Sequence, residues 1–410
     1  MPNPEDSATR SAFRHVGFRN FWIARFLATF AIQIVSVSIG WQIYALTSNP
    51  LDLGLVGLVQ FLPALLLVLV TGNVSDRYNR RAIMGLGQLA EALVAGTVLV
   101  LTVSGLITPT WIFALLFVFG VSRAFMNPAS SSLVPNLVPP QDLASAIALS
   151  TSSWQVANIV GPAVGGLLYG IGPGVAYSVA FLFFVGATVF IALVPKPAQK
   201  TMSEPRTWTT VVAGFRYVWH EKVVLGAISL DLFAVLLGGA VALLPAYARD
   251  ILVTGPWGLG VLRSASGFGA ILMAGYLTLR PVRDRAGVLM FTAVAFFGVF
   301  TLVFGLSRSV WLSALALALA GAADMISVYI RETLLQLWTP DEVRGRVNAV
   351  NSVFIGASNE LGEFRAGTVA ALIGVVPAVV MGGIGTLAVA GLWAWWFPDI
   401  RRVRRLDRRA

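Results

Sequence analysis

The sequence predicts an all-α membrane protein, with twelve transmembrane helices in two six-helix, pseudo-symmetric halves. Three observations lead there. The 410 residues are 57% hydrophobic and only 12% charged, with a mean hydropathy of +0.79; a soluble domain carries about 25% charge. Apolar runs of the length that crosses a bilayer, about 20 residues, recur along the whole chain. The basic residues fall on alternate connections and so gather on one side.

The first six spans are read at 18–47, 52–73, 81–104, 109–136, 142–170 and 174–194. The second six are read at 223–249, 256–280, 286–306, 310–338, 342–370 and 374–397. Turn chemistry marks several joints: Ser48-Asn49-Pro50, Thr108-Pro109, Pro139-Pro140, Gly172-Pro173-Gly174, Gly255-Pro256 and Thr339-Pro340. Only helices and closed barrels satisfy every backbone polar group in lipid. Barrel strands would be short and alternate with period two, whereas these runs are long and apolar on most faces.

One side collects Arg10, Arg14, Arg19, Arg77, Arg80 and Arg81, then Lys196, Lys200, Arg206, Arg216 and Lys222. It continues through Arg280, Arg283, Arg285, Arg344 and Arg346 to the tail RRVRRLDRRA, while the other side offers Arg249 and Arg308. Both termini are therefore expected in the cytoplasm, and the span count is even. The net charge of +10 is thereby explained by topology and anionic lipid rather than by nucleic acid. The polar N-terminus lacks the apolar core of a cleavable signal peptide, so the first span is expected to direct insertion. There is no Cys, and the two His residues, His15 and His220, lie outside the apolar runs, so no metal site or cofactor is expected. A nucleotide-binding P-loop motif is absent too.

The longest internal polar stretch, 195–222, divides the chain into a six-helix bundle at 1–194 and another at 223–397, with a basic cytoplasmic tail at 398–410. The halves echo each other. Pro140-Gln141-Asp142-Leu143 opens the fifth span and Pro340-Asp341-Glu342-Val343 the eleventh. Parallel six-helix repeats of this kind are a transporter architecture.

The sharpest motif is Gly72-Asn73-Val74-Ser75-Asp76-Arg77-Tyr78-Asn79-Arg80-Arg81, between the second and third spans. Gly72 permits close helix contact, Asp76 suits a positive helix N-terminus, and Arg80 and Arg81 hold the loop in the cytoplasm. The spacing of Gly72, Asp76, Arg77, Arg80 and Arg81 resembles the loop signature of the major facilitator superfamily. Asn79 stands where that signature has Gly, and tolerates left-handed backbone. The resemblance implies a gate or latch at Asp76 and Arg77. In the fifth span Gly161-Pro162-Ala163-Val164-Gly165-Gly166 is similar to the antiporter motif of proton-coupled exporters in that superfamily, with Gly161, Pro162, Gly165 and Gly166 matching. Arg123 in the fourth span resembles an Arg implicated there in proton coupling. Over nearly its whole length the chain is similar to the branch that contains the enterobactin exporter. FRNFWIARF near the start and TPDEVRGRVNAVNSVF before the eleventh span add to that resemblance.

In that fold the first, fourth, seventh and tenth spans line the cavity, which implies a set of Arg25, Gln33, Arg123, Asn127, Asp231 and Asp324. Ionisable groups in lipid are costly and call for a reason. Asp231, Asp324, Glu360 and Glu363, with Arg123, are the proton-coupling candidates; for each acid a fixed interhelical salt bridge is the competing reading. Glu360 and Glu363 share one helical face. Arg263 joins the cavity candidates, and Arg365 is expected to pair with a neighbouring span. Glu91 lies in a peripheral type of span and is read as structural. Arg331 and Glu332 are read as sitting near the cytoplasmic end. Trp154, Asn158, Asn351 and Asn359 are candidates for a substrate pocket, and Trp41 fits either a pocket or an interface anchor. Trp393, Trp395 and Trp396 read as interface anchors. Together these features predict proton-driven antiport of a small organic molecule such as a siderophore, secondary metabolite or drug. The protein is then expected to be a monomer in a bacterial inner membrane.

Overall fold

A computed structural model describes residues 12–196 and 215–406. Expectations placed on Arg10, Lys200, Arg206, most of the 195–222 stretch and the last four residues lie outside the described residues.

The described chain is helical from end to end. The helices are α1 (Val16–Thr47), α2 (Pro50–Leu66), α3 (Val68–Arg77), α4 (Arg80–Val103), α5 (Pro109–Leu133), α6 (Leu143–Ile171) and α7 (Pro173–Ala192). After the linker come α8 (Lys222–Gly238), α9 (Gly255–Leu279), α10 (Ala286–Leu306), α11 (Val310–Trp338), α12 (Asp341–Ile373), α13 (Val375–Trp396) and the short α14 (Pro398–Arg402). Among the described residues nine helices are long and apolar enough to cross a membrane, or ten when the bent pair at residues 50–77 is taken as one span. The fifth and eleventh expected spans, α6 and α12, are helices of 29 and 33 residues but are not among those nine. The count of twelve therefore rests on them.

Two spans read as continuous are interrupted. The second divides at Leu67, with a bend of 61° between Pro50–Leu66 and Val70–Arg77. The seventh ends as α8 at Gly238–Gly239 and resumes through a 3₁₀ turn and the π-helical turn Tyr247–Ile251. Arg365 explains how the break is tolerated. Its guanidinium donates to the carbonyls of Leu236 and Leu237 at 2.8 and 2.5 Å, satisfying acceptors at the end of α8. The expected joints behave as turns. Thr108 caps α5 by accepting from the Trp111 N–H at 3.4 Å, and Gly374, at φ 97°, makes the left-handed turn between α12 and α13.

Two compact units form, Met1–Ile39 with Val59–Arg206 and Gly40–Leu58 with Thr207–Ala410. The first is cored by Phe18, Phe21, Met84, Leu133 and Ile191. The second is cored by Leu230, Met290, Ile330, Leu334 and Trp393. Large aliphatic side chains such as Val103, Ile171, Leu279 and Leu372 stay exposed on helix surfaces, as a lipid solvent allows. Trp395 and Trp396 are exposed like interface anchors, but Trp393 is buried and donates its indole N–H to Ser229 at 2.8 Å. In the second unit the chain end folds back. The N–H groups of Ala286 and Gly287, which open α10, donate to the carbonyls of Arg404 and Val403 at 3.2 and 3.0 Å.

Candidate functional site

The loop motif builds a braced corner in the first unit. Gly72 is buried and Arg77 is exposed. Asp76 near the end of α3 lies 3.9 Å from Arg80, which opens α4. Arg80 is only 9% exposed and donates to the carbonyls of Ser75 and Ser132 at 3.3 and 3.1 Å. Arg81 donates to the carbonyl of Ala192 at 2.8 Å. These two cations thus cap the C-terminal ends of α5 and α7, where the helix dipole favours positive charge. That is a structural task beyond the topogenic one read from sequence. Asn79 also differs from expectation. Its backbone is extended (φ −63°, ψ 111°), not left-handed, and its side chain caps α4 by accepting from the Arg81 N–H at 3.0 Å.

The glycine motif of α6 brings that helix onto α1. A Cβ at Gly161 would lie 2.6 Å from Gln33 Cβ, and one at Gly165 would lie 3.0 Å from Ile34 Cα. Pro162 and Gly166 are buried beside them. Gln33 donates to Asn158 across the same contact.

Four helices of the first unit surround a cavity of about 450 Å³, within the range of small-molecule sites. Each contributes a stripe at helical spacing. Helix α1 gives Arg25, Thr29 and Gln33; α5 gives Arg123, Asn127 and Ser130; α6 gives Ser150, Trp154 and Asn158. Six of the expected residues, Arg25, Gln33, Arg123, Asn127, Trp154 and Asn158, thus meet in one place. The fourth stripe, Met84, Gln88 and Glu91 of α4, was not expected. Glu91 is fully buried, both its carboxylate oxygens lack a hydrogen-bond partner, and the charge of Arg123 reaches it. The i, i+4, i+7 spacing of Met84, Gln88 and Glu91 was the available signal, since it places a buried acid and an amide on one face.

The second unit treats its acids differently. Asp231 on α8 forms an ion pair with Arg331 on α11. Arg331 is 3% exposed and lies 3.8 Å from Glu332, so it is a partner buried among the helices. Asp324 and Asp231 line a void of about 10 Å³, room for about one water. Glu360 and Glu363 lean over Gly57, where a side chain would meet their carboxylate oxygens, and Arg263 lies within electrostatic reach of both. Asn351 donates to Glu332 at 2.9 Å, and Asn359, which is exposed, donates to the Ile355 carbonyl of its own helix at 3.0 Å. Trp41 is half-buried in the 40–58 segment of this unit.

Known proteins agree with this architecture. The family described as transmembrane secretion effector matches residues 7–406. The enterobactin exporter EntS of Escherichia coli O1:K1 is 26% identical over 403 residues, covering 95% of this chain and 94% of that protein. The enterobactin exporter EntS of Shigella boydii serotype 18 is likewise 26% identical, over 404 residues, with the same coverage. Among solved structures, a bacterial homologue of the lysosomal transporter Spinster, inward-facing, has a TM-score of 0.73 at 14% identity, covering 98% of this chain and all of that one. A bacterial homologue of the iron transporter ferroportin has a TM-score of 0.69 at 17% identity, covering 94% of this chain and 98% of that one. With its major facilitator fold and a family match over nearly its whole length, the chain belongs to the transmembrane secretion effector family, as a multi-pass membrane transporter and not an enzyme.

Proposed function

We propose that this protein exports a small organic molecule across the bacterial inner membrane by proton-driven antiport and alternating access. The observation that carries the reading is the ligand-sized cavity of the first unit, which sets two guanidiniums and an indole among hydroxyls and amides. Arg25 and Arg123 supply positive charge for an acidic group, and Trp154 supplies an aromatic face. The relatives named as enterobactin exporters support export and a siderophore-like or related metabolite as cargo. The similarity of Gly161, Pro162, Gly165 and Gly166 to the antiporter motif supports antiport, and their contact with α1 fixes the wall that carries Asn158 and Trp154. In this reading twelve spans cross the membrane with both ends in the cytoplasm, and a monomer suffices.

Coupling falls to acids that exchange partners. Asp231, Asp324, Glu360 and Glu363 are the candidates of the second unit, with Arg123 as their counterpart in the first. Asp76 and Arg77 act as the latch.

The test is proton movement in everted vesicles carrying the overexpressed protein, on adding a panel of siderophores, drugs and dyes. Substrate-triggered proton release from the acidified lumen is the expected result. Flux in the opposite sense would make the protein an importer, and a silent panel with a stable protein partner would make it a scaffold. Asp76→Asn should slow transport severalfold while membrane insertion stays normal; unchanged flux would remove the latch.

A further inference from the structure

Six buried polar atoms of residues lining the first unit's cavity have no hydrogen-bond partner among the described residues: both carboxylate oxygens of Glu91, both amide atoms of Gln88, Oγ of Ser150 and Nδ2 of Asn158. Gln88 is 1% exposed and Glu91 is fully buried. Buried polar groups are nearly always paired, and a cluster left unpaired against a cavity calls for something that pairs it. Gln88 and Glu91 sit three residues apart and share one face of α4, so both are turned the same way. A single water cannot be the answer for a space of about 450 Å³.

The groups available within the unit narrow the occupant. Helices α6 and α7 carry no charged residue, so the cavity's charges are Glu91 from α4, Arg123 from α5 and Arg25 from α1. Among the described residues neither arginine is ion-paired with Glu91, and both Glu91 oxygens lack a hydrogen-bond partner. A purely anionic molecule would satisfy the arginines and leave Glu91 facing it with like charge. A purely cationic molecule would do the reverse. Only a molecule with both signs answers all three.

We propose that this cavity is a two-pronged site for an aromatic zwitterion: Arg25 and Arg123 take its acidic group, Glu91 and Gln88 take a protonated amine, and Trp154 faces its ring. The proposal rests on reading the cavity as the transporter's substrate site, and it narrows the cargo to molecules that carry both an acid and a basic nitrogen. Glu91 becomes a specificity residue that accepts the ligand's N–H, and Gln88 adds a carbonyl acceptor beside it.

Equilibrium dialysis of the purified full-length protein in detergent tests this without a gradient or vesicles. The probes are norfloxacin, an aryl carboxylate with a piperazine amine, and nalidixic acid, which keeps the carboxylate and lacks that amine. The wild type should bind norfloxacin about tenfold more tightly than nalidixic acid, the increment expected of one charge-assisted hydrogen bond. Glu91→Gln should bring norfloxacin down to the affinity of nalidixic acid. Arg123→Gln should weaken both probes. Equal wild-type affinities, no binding of either probe, or a preference that survives Glu91→Gln would each overturn the proposal; the first two need no variant. Norfloxacin binding without any vesicle flux would keep the site and sink the export reading. Flux of other compounds without norfloxacin binding would do the opposite.

Discussion

The two units bury their acids in contrasting ways. In the first, Glu91 is buried in the wall of a large cavity with no hydrogen-bond partner, and Arg123 lines the same cavity. In the second, Asp231 is already paired with Arg331, and the void it shares with Asp324 holds about one water. Both acids lie in helices that cross the membrane, where an unpaired charge is costly. The second unit has met that cost with a built-in cation. The first has left it to whatever enters. The contrast separates an acid that already holds a cation from an acid left without one.

Breaking the pair in the second unit should have the largest effect. Arg331→Met leaves Asp231 buried and alone, and removal of one partner of a buried pair costs about 3–5 kcal/mol. Thermal unfolding in detergent should show that loss, and Asp231→Asn on top of it should restore most of it. Arg123→Met in the first unit should change stability by less than about 1 kcal/mol, because no ion pair is lost. Equal losses at Arg331 and Arg123 would erase the distinction between the units.

The next effect sharpens the picture of the first unit as a wall built by small residues. Gly161→Val drives a side chain into Gln33, and overpacking of this kind costs about 1–3 kcal/mol. Its expected signature is a parallel loss of stability and of ligand binding, since α6 carries Trp154 and Asn158. A Gly161→Val protein with wild-type binding would separate the glycine contact from the cavity. The smallest effect concerns the helix that carries Glu91. Asn79→Ala should destabilise by about 1 kcal/mol through loss of the α4 cap, whereas Asn79→Gly should cost only a few tenths. Equal effects would mean the capping bond contributes nothing.

Much of this was legible in the sequence because lipid imposes a coarse code. Apolar length placed ten of the twelve expected spans within a few residues of a helix and missed the breaks after Leu66 and Gly238, and Pro and Gly marked the joints. The stripe of Arg123 and Asn127 on α5, and that of Trp154 and Asn158 on α6, could be assigned to a cavity before any coordinates. What escaped was partnership. Burial cost identifies Arg331 as a residue that needs a reason, but its reason is Asp231, about a hundred positions earlier and brought close only by packing of α8 and α11. Arg365 does meet a neighbouring span as expected, but its acceptors at the broken end of α8, like the α5 and α7 carbonyls capped by Arg80 and Arg81, escaped, since a carbonyl acceptor leaves no trace in residue identity. The place of Glu91 at the cavity was not read from its type of span, although its spacing from Met84 and Gln88 was in plain view.

The returning chain end carries a consequence for how the protein is made. The first two N–H groups of α10 find their acceptors in Val403 and Arg404, more than a hundred residues further along the chain. A ribosome delivers those carbonyls only after every helix between them has been made, so the leading turn of α10 waits unsatisfied while the rest of the second unit is synthesised. A chain cut back to before residue 403 would keep α8 to α13 and still lack these two acceptors, leaving the start of α10 open.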